Sequence, residues 1–374
     1  KMTRKTPHLQ KNSFDFASRL YGSGILNTPQ KSVDIAFADF KFWANEWIES
    51  GARSGISKRT SETRREVLDK LEWFLESVEF AKCGVFELNQ FFGYCQTGHK
   101  TKWGRWDSAL KINVGKRAYE PLSDATIWTY YAYLKGFFSF LVRRAVLTET
   151  PFLHVDKPVQ SKNKPQPFTE SQIEALLRAA KKSAVPARNE ALVWFLLDSG
   201  ARVSEVCSLT LGDVDFSDER SLTFRVTGKG RKKRVLRLGK RATDALWTYF
   251  KSEHGIKRRF NKVGRGERSS IDASTPVFMS TGRAYFGEPL TRCGVLHIIS
   301  ELGKNAGIGG VRCSPHTFRH TFAITYLRNG GDVFTLRDLL GHSNLRTVEI
   351  YLSLAESDVA EGHRKFSPGD SLRR

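Results

Sequence analysis

The sequence predicts a mainly α-helical protein with one small β-sheet, in two domains. Three observations predict it. Apolar residues recur at helical spacing through most of the chain, only two short β-type runs interrupt that pattern, and a proline-dense stretch separates an N-terminal set of helices from a C-terminal set. A length of 374 residues suits two or three domains.

Residues 1–32 carry weak periodicity and read as a basic tail. Val33, Phe37, Phe40, Ala44 and Trp47 follow at alternating spacings of four and three, one face of a first helix. A loop from Gly51 to Thr60 leads to a second helix marked by Leu68, Leu71, Leu75 and Val78, and Phe86–Cys95 forms a shorter third. The loop from His99 to Glu120 sets Lys100, Lys102, Arg105, Lys111, Lys116 and Arg117 among Trp103 and Trp106. Ser123 or Asp124 caps a fourth helix whose face is Ile127, Tyr131, Leu134, Phe138 and Leu141. These four helices make one helical domain, 33–150. Pro151, Pro158, Pro165 and Pro167, with lysines between them, hold the chain extended as a linker over 151–167.

The second domain, 168–374, opens with helices at Ser171–Ala180 and Asn189–Asp198. The run Ala191–Leu197 is apolar on all sides, so the second of these helices belongs in a domain centre, and Gly200 is placed to end it in a left-handed cap. Leu222–Val226 and Val235–Leu238 read as strands joined by the glycine-bearing turn Thr227–Arg234. Helices then resume, apart from a basic loop, Ile256–Ser270. Ser314 caps a helix with Pro315 at its first position, Gly341 ends a short helix, and Leu345, Val348 and Leu352 define the next, which carries Tyr351.

Charge narrows the function. The 60 Lys and Arg against 39 Asp and Glu give a net +21, which calls for a polyanionic partner, nucleic acid first. No apolar run is long enough for a transmembrane helix, and the basic, polar first residues lack the apolar core of a signal peptide, so no membrane partner and a cytoplasmic, nucleoid location are expected. The five cysteines are scattered with no C-x-x-C pair, which supports neither a disulfide framework nor a cysteine zinc site.

The strands concentrate that charge. Arg220, Arg225, Lys229, Arg231, Lys232, Lys233, Arg234 and Arg237 lie within one hairpin with no acid between them, and phosphate backbone is their natural counter-charge. Arg231, Lys232, Lys233 and Arg234, together with Lys102 and Arg105 of the tryptophan-bearing loop, are the candidate DNA contacts. In Ser314-Pro-His-Thr-Phe-Arg-His320, His316 and Arg319 stand three apart on the first turns of a helix, where an anion is favoured and Arg can grip two phosphate oxygens. His316 and His320 are four apart, the spacing of a zinc pair, but Thr317 occupies the place of the general-base Glu and no third ligand is evident, so no metal is expected. Tyr326 sits among Phe322, Ile324 and Leu327 and reads as packing.

Arg202, Lys229, His316, Arg319, His342 and Tyr351 occur in this order, each in a fitting local setting. Through Ser199-Gly-Ala-Arg-Val-Ser-Glu205, Thr227-Gly-Lys-Gly230, His316-Thr-Phe-Arg-His320 and Leu339-Leu-Gly-His342 to Tyr351, the chain resembles the tyrosine recombinase (phage integrase) superfamily, its Xer-like members most closely. The likeness spans roughly residues 167–354; the N-terminal helices match the family's core-binding domain by pattern only. The resemblance implies a catalytic recombinase domain that forms a C-shaped clamp on duplex DNA with the core-binding domain. It implies Tyr351 as nucleophile, a 3′-phosphotyrosyl intermediate, a Holliday junction and a homotetramer on two duplex recombination sites. Docking of the C-terminal segment on a neighbour and a host DNA-bending protein are further options. Arg202 and Arg319 would neutralise the phosphate, Lys229 would protonate the leaving 5′-oxygen, His316 would take or relay the tyrosine proton and His342 would hydrogen-bond the phosphate. Glu205, three after Arg202, reads as a brace for it. No cofactor is required, since the phosphotyrosyl link retains the bond energy. Two other readings share these residues: a type IB topoisomerase-like enzyme and a catalytically silent DNA-binding regulator.

Overall fold

The computed structural model describes residues 33–98, 104–106, 119–159, 166–228, 233–256, 272–341 and 346–355, with residues 367 and 369. The chain divides into two compact units, residues 1–162 and 163–374.

In the first unit, β1 (Ile35–Ala36) pairs antiparallel with β2 (Lys82–Cys83), and four helices follow the expected order: α1 (Phe37–Arg53), α2 (Lys58–Ser77), α3 (Val85–Gln96) and α4 (Asp124–Arg143). Ser57 and Ser123 cap α2 and α4 by accepting from the Thr60 and Thr126 amides. The predicted faces bury as expected: Phe40, Ala44 and Trp47 of α1 meet Leu68, Leu71 and Leu75 of α2 and Leu134, Phe138 and Leu141 of α4. Each fully buried Phe or Leu contributes about 1.5–3 kcal/mol.

One detail differs from expectation. Pro151–Leu153 is a 3-10 turn packed into this core, with Phe152 ringed by Tyr131 and Phe138 at 5.0 and 5.7 Å. Val155 is buried with it, so the first residues assigned to the linker are core; an aromatic between prolines has more to gain from burial than from extension. In the tryptophan-bearing loop, Trp106 is tucked down onto the helices. Trp106 lies 5.8 Å from both Trp73 and Tyr94.

The second unit is built around α6 (Pro186–Ser199), which packs against α5 (Glu170–Lys181), α8 (Lys240–Glu253) and α10 (Pro315–Arg328). A capping box of Thr169 and Gln172 opens α5. The sheet has three antiparallel strands, β3 (Val214–Asp215), β4 (Thr223–Thr227) and β5 (Lys233–Arg237), in that order. At two residues, β3 is too short to leave an alternating pattern in the sequence. Phe224 pairs with Leu236, and Val226 with Arg234; these face inward, where Phe224 meets Phe195 of α6 at 5.0 Å.

The short α7 (Val203–Ser208) follows α6, α9 (Arg292–Asn305) precedes α10, and α11 (Val333–Leu340) and α12 (Arg346–Ala355) complete the described helices. Phe318 of α10 belongs to the large core with α6, whereas Ala323, Ile324 and Leu327 belong to a smaller one with Leu336, Leu340, Val348 and Tyr351. Helix α10 thus joins two cores. At its N-terminal half, Phe168 stacks on Phe318 at 4.9 Å and its amide donates to Thr321 Oγ1. No helix among the described residues is long and apolar enough to cross a membrane.

Candidate active site

Ser199 ends α6, and Gly200 turns the chain at φ 56°, the left-handed cap expected. A side chain cannot replace its hydrogen, because a Cβ there would stand 2.5 Å from the Phe322 ring. The turn leaves Arg202 as the N-cap of α7. Its amide donates to Glu205 Oε2 at 2.7 Å and its guanidinium to Oε1 at 3.2 Å. Glu205 is therefore the expected brace, buried to 2% exposure.

A second cation shares that carboxylate. Arg234 reaches Glu205 Oε2 at 2.6 Å and also donates to the Leu339 carbonyl. Burial alone would raise the Glu205 carboxyl, but the Arg202 amide and the guanidiniums of Arg234 and Arg202 outweigh it and hold it below its ordinary value. This corrects the expectation that Arg234 contacts DNA. Its side chain is 11% exposed, because it shares the inward parity of Leu236, whereas Lys233 and Arg237 point to solvent. Arg105 is corrected for a similar reason. It is buried to 2% exposure, with its guanidinium spent on the carbonyls of Tyr94, Thr97 and Glu120. Lys102, Lys229, Arg231, Lys232 and His342 lie outside the described residues.

Helix α10 opens on its predicted cap: Ser314 Oγ accepts from the Thr317 amide, with Pro315 at the first position. Positions 316, 319 and 320 share one face of the helix. Arg319 is buried to 4% exposure and donates to the carbonyls of Gly200 and Leu340, both at 2.7 Å. Arg202 donates to the next carbonyl, Gly341, at 3.1 Å. The last carbonyls of α11 (Leu339, Leu340) and its Gly341 cap, left-handed at φ 64°, therefore receive Arg234, Arg319 and Arg202 in turn. The negative end of a helix suits such a cluster. Burial and then the neighbouring Arg202 and Arg234 push Arg319 down to about 10.

Tyr351 comes to this cluster because α12 packs on α10 and α11, burying the tyrosine to 4% exposure. Burial raises its phenol, and the guanidiniums of Arg319 and Arg202 oppose the rise. The histidine in contact with it is His320, whose Nδ1 lies 2.9 Å from Tyr351 Oη. No hydrogen bond joins His316 to Tyr351 among the described residues. His316 instead stands edge-on to His320, ring centroids 4.1 Å apart. Partial desolvation, then Arg319 and Arg312, lower His316. His320 is the functional candidate that the sequence reading passed over. The available signal was its position four after His316 and one after Arg319, which spacing alone connects only to a metal pair. A cleft of about 960 Å³, lined by Arg292, Arg312, His316 and His320 among others, opens beside the histidines.

Known proteins resemble this chain in sequence and in fold. The profile of the phage integrase family matches residues 166–358, more than half of the chain. The tyrosine recombinase XerC of Halalkalibacterium halodurans is 36% identical over 250 residues, 67% of this chain and 78% of the relative. The tyrosine recombinase XerD of Pseudomonas putida is 34% identical over 253 residues, covering 67% and 78%. Among solved structures, the Tn1549 transposon integrase in complex with a circular intermediate DNA shares the fold at a TM-score of 0.61 and 18% identity, over 87% of this chain and 98% of that one.

Proposed function

Because this chain belongs to the phage integrase family as a Xer-like tyrosine recombinase, an enzyme of site-specific DNA recombination, we propose that it cuts and rejoins duplex DNA with Tyr351 as the nucleophile. The observation that carries this reading is the convergence of three side chains from three segments. Tyr351 of α12 lies within the electrostatic reach of Arg319 of α10 and Arg202 of α7, and both arginines end at the same turn of backbone, Leu340–Gly341.

Arg202 and Arg319 bind the non-bridging oxygens of the scissile phosphate and stabilise the charge that builds in the pentacoordinate transition state. Arg serves here because its planar fork meets two oxygens at once. Tyr351 Oη attacks phosphorus and forms the 3′-phosphotyrosyl link, which keeps the energy of the broken bond for rejoining. Lys229 of the β4–β5 turn supplies the proton to the departing 5′-oxygen, and His342, directly after the Gly341 cap, hydrogen-bonds the phosphate. Arg234 and Glu205 hold Arg202 in place.

The partners proposed are two duplex recombination sites held by a homotetramer, with strand exchange through a Holliday junction and a host DNA-bending protein as an accessory. Lys233, exposed on β5, together with Lys229, Arg231 and Lys232 of the turn, supplies phosphate contacts. The biology served is integration and excision or transposition of a mobile element, or resolution, in the nucleoid.

Covalent trapping tests the reading. The protein is mixed with fragmented DNA of its source genome, denatured in detergent, and the protein-linked ends are sequenced, with Tyr351→Phe in parallel. Adducts that vanish in the variant are expected. DNA binding with no adduct in the wild type would favour the silent regulator, and adducts that relax one duplex without joining two would favour the topoisomerase-like enzyme.

A further inference from the structure

We propose that His320 receives the proton of the Tyr351 hydroxyl as the nucleophile attacks, which makes it a catalytic residue beside the arginines, the lysine and the tyrosine. This rests on the reading of Tyr351 as nucleophile. The geometry supports it directly. His320 Nδ1 is 2.9 Å from Tyr351 Oη, within reach for proton transfer, while His316 makes no hydrogen bond to the tyrosine among the described residues.

The surroundings keep the acceptor in the form the step needs. The groups facing His320 are His316 and Arg319 on its own helix and Tyr351 on α12; Arg202 acts on the tyrosine, and Arg312 acts on His316. Burial, then His316 and Arg319, push His320 down to about 4, so at neutral pH its ring is uncharged and Nδ1 can accept the phenol O–H. The phenol itself stays protonated, since burial raises it. The nucleophile is therefore idle until a phosphate arrives. The phosphate's negative charge then offsets the guanidiniums and makes His320 a stronger base at the moment it is needed.

The step balances. Tyr351 Oη forms its bond to phosphorus and its proton passes to His320 Nδ1. The bond from phosphorus to the 5′-oxygen breaks, its electron pair goes to that oxygen, and Lys229 supplies the proton there. Rejoining reverses each transfer: the imidazolium, set between His316 and Arg319, returns its proton to the departing phenolate.

The test uses the full chain and the duplex recovered by covalent trapping, synthesised with either oxygen or sulfur at the bridging 5′ position. A sulfur leaving group departs as thiolate without protonation. Single-turnover adduct formation by His320→Ala is expected to slow by about 10²- to 10⁴-fold on both duplexes, whereas Lys229→Ala slows on the oxygen duplex alone. The His320→Ala rate is expected to climb about tenfold per pH unit from 7 to 9, following the phenolate fraction, while the wild type stays flat. A second measurement needs no DNA: with ¹⁵N-histidine labelling, His320 Nδ1 carries no proton at pH 7. Undiminished or faster adduct formation by His320→Ala, or a protonated Nδ1, overturns the proposal alone. Adducts that persist in Tyr351→Phe, or none from the wild type, overturn the recombination chemistry beneath it.

Discussion

Arg234 meets Glu205 at 2.6 Å from the inward face of β5, while Lys233, one residue earlier, faces solvent. Two neighbouring cations in one basic run thus serve different ends. Arg234→Ala takes one of two guanidinium partners from a buried carboxylate that keeps Arg202, and is expected to cost about 1.5–3 kcal/mol of unfolding free energy. Lys233→Ala is expected to cost no more than about 0.5 kcal/mol and to lower the slope of log binding constant against log salt by about one. Urea denaturation and DNA binding at graded salt measure the pair; the opposite assignment would show as a stable Arg234→Ala with a shallower slope.

Arg105 gives the same contrast in the first unit. Its three backbone acceptors span residues 94 to 120, so Arg105→Met leaves carbonyls unpaired and is expected to destabilise that unit by about 2–4 kcal/mol. The salt dependence of DNA binding should not change, because the guanidinium is not available to a phosphate. A lower slope in a variant that melts like the wild type would restore it to the DNA face.

Arg319→Lys keeps the charge and loses the fork. One ammonium cannot hold both the Gly200 and Leu340 carbonyls and also present a planar donor pair. Adduct formation is expected to fall by about 10²- to 10³-fold with DNA affinity changed only a few-fold. Equal loss of binding and cleavage would mean that Arg319 grips DNA in the ground state only.

Stability should fall with acid. The folded His320, lowered to about 4, and the lowered His254 and His316 take up protons later than the unfolded chain does, so protonation favours unfolding as pH drops from about 6.5 toward 4. The depressed Glu205 adds stability above its unfolded value that is lost as pH falls through the folded one. Asp198, raised by burial, opposes this only near the bottom of that range. Urea midpoints at pH 7, 6 and 5 should decline, and His320→Gln should flatten the decline.

The helices were readable because their apolar residues sit at a spacing only a helix brings to one side, and because Ser123, Ser314, Gly200 and Gly341 act locally. Long-range partners left weaker marks. The sequence holds Arg234 and Glu205 29 positions apart, and nothing in a basic run announces that one member turns inward. The parity was there, since Arg234 is two before Leu236, yet it becomes informative only once the strand is known to extend that far. His320 was hidden differently. Its partner Tyr351 is 31 residues away on another helix, and its spacing of four from His316 raised only a zinc pair, which the sequence then argued against. Phe152 shows a third limit: proline density marks where regular structure stops, not where packing stops.

The close of α11 behaves as a fixed datum. Three consecutive carbonyls, Leu339, Leu340 and Gly341, are each pinned by an arginine from a different stretch of chain: β5, α10 and the cap of α7. A helix end held from three directions can neither slide nor rotate without breaking several of these ties together. Tyr351 lies ten residues beyond it. Kinematically, any travel of Tyr351, the proposed nucleophile, relative to these arginines is borne by α12. The arginines and the end of α11 stay behind as the stationary frame against which that travel is measured.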